Sequence, residues 1–293
     1  MKNLMKTLLS ILVVMPTLSF AVDTVKWPSS ELKNDPRGAY KRAVIETALQ
    51  KTEATHGPYA IEEAVFASKF STYRAREMVI EGSDINTYIA LTNDDWERLT
   101  LPIRIPIRRG IINYRLLMIH RDNVNKFQHI ENLHQLKNTV VGLQLGWTTT
   151  EILDAGGFDI ELSSKYSSLF PMLDGKRFDY VPRGVNEIFN EQARYGRDLD
   201  IVVEPTIALY VPSPTYIFIS PKEPALAARI EQGLEIMVAD GTLKKMFYER
   251  FSEGLKLADI ASRKLIKIPN PLLPAATPLD RPELWYQAGE SVN

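Results

Sequence analysis

The chain has 293 residues, with 35 Lys and Arg against 36 Asp and Glu, a formal net charge of −1 and a hydrophobic share of 45%. That balance exerts no bulk pull toward nucleic acid or anionic membranes, and the apolar share is ordinary for a globular protein. There is no cysteine, which excludes disulfides, a lipid attached at a cysteine cleavage site and thiolate chemistry.

The first stretch reads as a secretory signal. Lys2 and Lys6 precede an apolar run from Leu8 to Met15, and Ser19-Phe20-Ala21 supplies small residues for cleavage. The run is too short to cross a bilayer, which takes about 20 residues. Removing residues 1–21 leaves 272 of the 293 residues and, with two lysines gone, a net charge of −3. At about 150 residues per domain, that length favours two domains.

Val22 to Trp27 predicts a short strand. Asp35 as N-cap and Pro36 at the first helical position open a helix, carried by Tyr40, Val44, Ala48 and Lys51 at helical spacing and ending near Gly57-Pro58. Tyr59 to Ala67 predicts a strand, Phe70 to Glu81 a helix stopped by Gly82, and Ile85 to Thr92 a third strand. This alternation implies a parallel α/β sheet. Ile112 to His120 predicts another strand, after which the pattern restarts. A helical "ENLHQLKN" and the strand "TVVGLQLG" come first. Then follow a helix from Thr148, strands at 158–162 and 178–181, a helix at 185–193 and a strand at 199–204. The segment "SPTYIFIS" is a further strand. Leu226, Ile230, Leu234 and Met237 form a helical stripe stopped by Gly241, and a second helix runs from Thr242 to about Phe251. Five prolines between Pro269 and Pro282 rule out regular structure there and predict a surface belt.

The order of these segments, the corner motifs and "ADGTLKKMF" resemble the bacterial extracellular solute-binding proteins of family 3. So do "LPIRIPIRRGIINYRLLMI", "LGWTTTEIL", "FPMLDGKRFDYVPRGVNEI" and "NPLLP", which look like one branch of that family. The resemblance covers about Val25 to Phe251. It implies an α/β type II periplasmic binding protein fold: two lobes, each a mainly parallel sheet flanked by helices, joined by two crossing strands. The first lobe would be 22–117 plus 213–293 and the second 118–212, with "NYRLLMIH" and "SPTYIFIS" as crossings. It further implies a periplasmic monomer without cofactor. Such a protein captures a small polar, carboxylate-bearing ligand for an ABC importer; the alternative is a sensor that reports to a membrane signalling protein.

The resemblance also nominates site residues. Arg98 occupies the place of the family's carboxylate-gripping arginine, a task suited to a planar, permanently charged fork; the alternative is a surface Arg paired with Asp94 or Asp95. Thr92 lies just before it. Trp147, Thr148 and Thr149 stand at the family's second-lobe turn, where hydroxyls and free N–H groups at a helix start cradle an anion; a simple capping box with Glu151 is the alternative. Arg183 replaces the family's ammonium-binding acid, which favours a ligand with two anionic ends or an acid without an amine, unless Glu187 neutralises it. Arg104 is placed on the cleft, and Trp27 either forms an aromatic wall or packs in the core. Catalysis is not expected. No Gly-x-Ser-x-Gly, phosphate loop or zinc motif occurs, although dehydratases and lytic enzymes share such a scaffold. Glu97 and Glu187 are the carboxylates that would serve them.

Overall fold

A computed structural model describes residues 22–28, 36–66 and 70–290. The signal segment expected at 1–21 and the expected N-cap Asp35 lie outside these residues.

The first elements in the chain are β1 (Asp23–Pro28), α1 (Pro36–Lys51), α2 (Glu53–His56), β2 (Tyr59–Ala64), α3 (Thr72–Glu81), β3 (Thr87–Leu91), α4 (Asp94–Leu99) and β4 (Leu101–Ile103). The helix boundaries follow local chemistry. Ser71 caps α3 by accepting from the Arg74 N–H at 3.2 Å, and Gly82 ends it in the left-handed conformation. Asn93 caps α4 by accepting from the Trp96 N–H at 2.9 Å.

The next elements are β5 (Tyr114–His120), α5 (Val124–Gln128), α6 (Leu133–Leu136), β6 (Val140–Gln144), α7 (Thr148–Ala155), β7 (Asp159–Ser163), α8 (Leu169–Asp174), β8 (Tyr180–Gly184), α9 (Ile188–Tyr195), β9 (Ile201–Val203) and β10 (Ile207–Tyr210). The chain then returns through β11 (Thr215–Ile219), α10 (Pro224–Ala239), α11 (Thr242–Ala258) and β12 (Lys264–Lys267).

Strands β1 and β2 pair in parallel, and β3, β11 and β4 form a three-stranded sheet. Asn86 knits the two pieces together. Its side chain accepts from the Lys26 N–H and donates to the Thr24 carbonyl, each at 2.8 Å, and its backbone N–H donates to the Lys26 carbonyl. The larger sheet has seven strands in the order β12-β10-β5-β8-β6-β7, with β9 also on β5. Among the described residues every antiparallel pair involves β5 or β11, the strands within the segments expected as crossings; the others within each sheet run one way. The two crossings lie side by side. The Val211 N–H donates to the Asn113 carbonyl at 2.7 Å, and the Ser213 N–H donates to the Asn113 side chain at 2.9 Å.

Two features differ from the sequence reading, and a third lies beyond the proline-rich belt expected at Pro269–Pro282. Pro182-Arg183-Gly184 is not a corner but the last part of β8, opposite Leu117, Leu116 and Arg115 of β5. Pro182 has no N–H for the other side of the strand, and there β6 pairs with β8 only at Val141–Tyr180. Lys264–Lys267, within the 213–293 span expected on the first lobe, forms an edge strand of the seven-stranded sheet. The proline-rich tail carries buried anchors, Leu284, Trp285 and Tyr286. Arg109 donates to the Trp285 carbonyl at 3.1 Å, and the Tyr286 N–H donates back to the Arg109 carbonyl at 2.7 Å.

Helices α1 and α10 pack so closely that Gly233 lies against the backbone of Ala48. Arg229 of α10 is fully buried beneath them. It is satisfied by Asp23 at 2.9 Å, the Thr52 hydroxyl at 3.2 Å and the carbonyls of Leu49, Gly57 and Pro58. Among the described residues no helix is long and apolar enough to cross a membrane.

Candidate functional site

A cleft of about 710 Å³ lies between β3 of the three-stranded sheet and the seven-stranded sheet. One wall comes from Thr72 of α3, from Tyr88 to Leu91 of β3 and from Ile112 before the first crossing. Apart from Thr72 this wall is apolar or aromatic. The other wall carries the charge: Arg115, Arg183, Glu187, Glu191 and Arg194, with Gln144, Gly146, Trp147, Thr148, Thr149 and Tyr166.

Arg183 is buried and heavily engaged. Its Nε donates to Glu191 at 2.7 Å and its Nη2 to the second Glu191 oxygen at 2.6 Å, a bidentate clamp. Nη2 also donates to Glu187 at 3.0 Å. Its Cζ lies 4.8 Å from the Trp147 ring centroid and 5.4 Å from that of Tyr166. The Tyr166 hydroxyl donates to Glu191 at 2.7 Å, which completes the network. Burial alone works against the charge, yet Glu187 and Glu191 raise the guanidinium pKa above its ordinary value. Burial, reinforced by Glu191, raises the Tyr166 phenol. Arg183 is therefore neutralised by its own neighbours.

Arg115 is the opposite case. It is 5% exposed, on β5. Its Nε is buried without a hydrogen-bond partner, and its guanidinium makes no ion pair with the described residues. Burial, with Arg183 nearby and Glu187 only partly opposing, pushes its pKa down to about 10. A buried cation without a partner costs several kcal/mol. A ligand anion that entered the cleft and paired with it would recover that energy.

The start of α7 faces the same space. Trp147 occupies its N-cap position without a side-chain cap, so the first-turn N–H groups have no side-chain acceptor, although that of Thr150 donates to the Trp147 carbonyl at 2.9 Å. Thr149 is buried and Thr148 half-buried. The Thr150 hydroxyl turns away and donates to the Gln144 carbonyl at 2.9 Å.

Of the eight residues nominated from the sequence, the structure brings Trp147, Thr148, Thr149 and Arg183 together in the cleft. The other four are placed elsewhere. Arg98 is 68% exposed and pairs with Asp95 one turn back on α4 at 3.2 Å, outside the cleft lining. Thr92 is buried and donates to Glu97 at 2.8 Å. Arg104 donates through Nε to Glu97 at 2.7 Å. Trp27 packs in the core. Glu97, nominated as a candidate acid or base, is thus the hub of a Thr92–Glu97–Arg104 network away from the cleft. The cleft residues not anticipated are Arg115, Tyr166 and Glu191. A signal for Arg115 was present: it is the single charge in the run "YRLLMI". Among the described residues no group of His, Asp and Glu has the arrangement to hold a metal ion.

The chain has the two-lobed type II periplasmic binding protein fold. It is similar to a structure from work on glutathione import in Gram-positive bacteria via GshT and the cystine ABC importer TcyBC of Streptococcus mutans. That likeness has a TM-score of 0.54 and 12% identity over 79% of this chain and 96% of that one. It is also similar to an ancestral arginine-binding protein bound to arginine, with a TM-score of 0.51 and 17% identity over 72% and 87%. A third likeness is to YckB of Bacillus subtilis, with a TM-score of 0.50 and 15% identity over 85% and 95%. No protein-family model matches the sequence, and no curated protein matches it significantly. At these identities the likeness establishes the fold and leaves the ligand to the chemistry of the cleft.

Proposed function

We propose that this chain is an extracytoplasmic solute-binding protein that closes its lobes around a small carboxylate-bearing molecule and presents it to an ABC importer. The observation that carries the reading is Arg115, a buried guanidinium in the cleft that makes no hydrogen bond through Nε and no ion pair among the described residues. Because Arg183 is already held by Glu191 and Glu187, the cleft offers one buried cation without an ion pair among the described residues, which suits a ligand with one carboxylate. The uncapped start of α7 lies on the same wall and favours the same charge. Two crossings side by side are the geometry of a hinge that brings both walls onto one guest. The amino-terminal signal reading puts this capture in the periplasm, where the permease is the partner. Glu97 and Glu187, the carboxylates weighed for catalysis, are each engaged by an arginine, which supports binding without turnover.

The test is a thermal-shift and calorimetric screen of amino acids, monocarboxylates, dicarboxylates and carboxylate-free cations. A ligand at 100 times its Kd stabilises by about 2.7 kcal/mol, so carboxylates should raise the melting temperature and Arg115→Ala should abolish the shift. Binding that ignores Arg115, preference for cations without a carboxylate, or recovery of a transformed ligand would each overturn the proposal.

A further inference from the structure

Resting on that solute-binding reading, we infer that Trp147 selects the ligand body, and that the carboxylate held by Arg115 belongs to a molecule with a flat aromatic group. Trp147 stands where a helix start normally has Ser, Thr, Asp or Asn. It gives up the cap and places a large ring on the cleft wall instead.

The ring is braced by its neighbours on the same wall. Arg183 stacks on it at 4.8 Å and Tyr166 packs against it at 6.4 Å, while Glu191 fixes both supports through the bidentate clamp and the Tyr166 hydrogen bond. A platform so braced loses little freedom when a ligand settles on it.

The chain has four tryptophans. Trp27, Trp96 and Trp285 are buried, and Trp147 alone is partly open. Its free surface looks into a cleft whose opposite wall presents Tyr88, Leu91 and Ile112. A flat apolar group fits between an indole and such a wall better than a hydrated polar one. The guanidinium against the ring also biases the choice. It already occupies the negative face of the indole, so the ring favours an aromatic partner over a second cation.

The experiment uses pairs matched in size but not in planarity, with calorimetry on the signal-processed protein. The pairs are phenylacetate against cyclohexylacetate and phenylalanine against cyclohexylalanine. The aromatic member of at least one pair should bind about five- to tenfold more tightly. Trp147→Ala should erase that preference, Trp147→Phe should keep it, and binding should quench or shift tryptophan emission in the wild type but not in Trp147→Phe. Arg115→Ala should weaken both members alike. Equal, Arg115-dependent binding of aromatic and saturated acids, or binding of other carboxylates with no aromatic acid accepted, would overturn this inference and leave the solute-binding reading standing. Binding that ignores Arg115 would overturn both.

Discussion

Replacing Arg115 with Met should stabilise the ligand-free protein while removing its binding. The side chain is 5% exposed and its pKa is pushed down to about 10 from 12.5. At about 1.4 kcal/mol per pKa unit, keeping this guanidinium charged in the fold costs on the order of 3 kcal/mol. Methionine has similar length, carries no charge to desolvate and adds apolar burial. Exchanging buried charge for packed hydrophobic groups is commonly stabilising by about 1–4 kcal/mol. A gain of about 2 kcal/mol corresponds to roughly 4–8 °C in Tm for a protein of this size. The assay is urea and thermal unfolding after partial unfolding and dialysis, because a copurified ligand would raise the wild-type value. Arg229→Met is the internal control. Arg229 is equally buried, but it is bonded to Asp23, Thr52 and three carbonyls, so its loss should destabilise by roughly 3–5 kcal/mol. If Arg115→Met lowers ligand-free stability by more than about 1 kcal/mol, Arg115 is structural and the reading of an anion anchor fails.

Three further outcomes follow from the packing. Gly233→Ala should cost about 2–3 kcal/mol, measured by urea unfolding, because its new Cβ would stand 2.1 Å from the Ala48 carbonyl oxygen on a backbone that cannot move aside cheaply. Glu191→Gln should cost about 3 kcal/mol by leaving Arg183 with one carboxylate, and it should alter the near-UV circular dichroism of the Trp147–Tyr166 cluster. Glu290 is held at about 2: burial works against its charge, but hydrogen bonds from Lys244 and Arg109 outweigh burial. Its folded pKa is below its ordinary 4.5, so its contribution is complete above pH 4.5 and is lost as pH falls toward 2. Acid unfolding of Glu290→Gln should therefore begin from a lower stability and show a shallower loss across that window.

The main elements could be read from periodicity and punctuation. Pro36 begins α1, Gly82 ends α3, and Thr148 opens α7, because these signals act within one or two turns of chain. What escaped depends on partners far away in sequence. β10 and β12 are four residues each and acquire strand geometry from β5 and from one another, which no local pattern encodes. Arg183 lies on the cleft wall, and its neutralisation by Glu191 depends on α9 folding back over the end of β8. Arg98 and Arg104 stood beside the expected carboxylate site in the chain. A turn of α4 directs Arg98 to Asp95 and water, and Glu97 captures Arg104. The buried cation of the cleft sits instead on β5, where one arginine barely alters a hydrophobic run.

The stretch beyond β12 has a consequence for how the molecule matures. The Asn270 side chain donates to the Pro212 carbonyl at 2.7 Å, and the Tyr286 ring sits edge-on to Tyr114 at 5.6 Å. The pivot between the lobes is therefore wrapped by residues 58 and 172 positions downstream of the segments they touch. Contacts of such long sequence separation form late and slowly. A chain emerging amino end first would hold two half-built lobes on a loose swivel until that stretch arrives. Proteases or chaperones that meet it earlier would encounter a molecule whose jaws exist but whose joint has not yet been tightened.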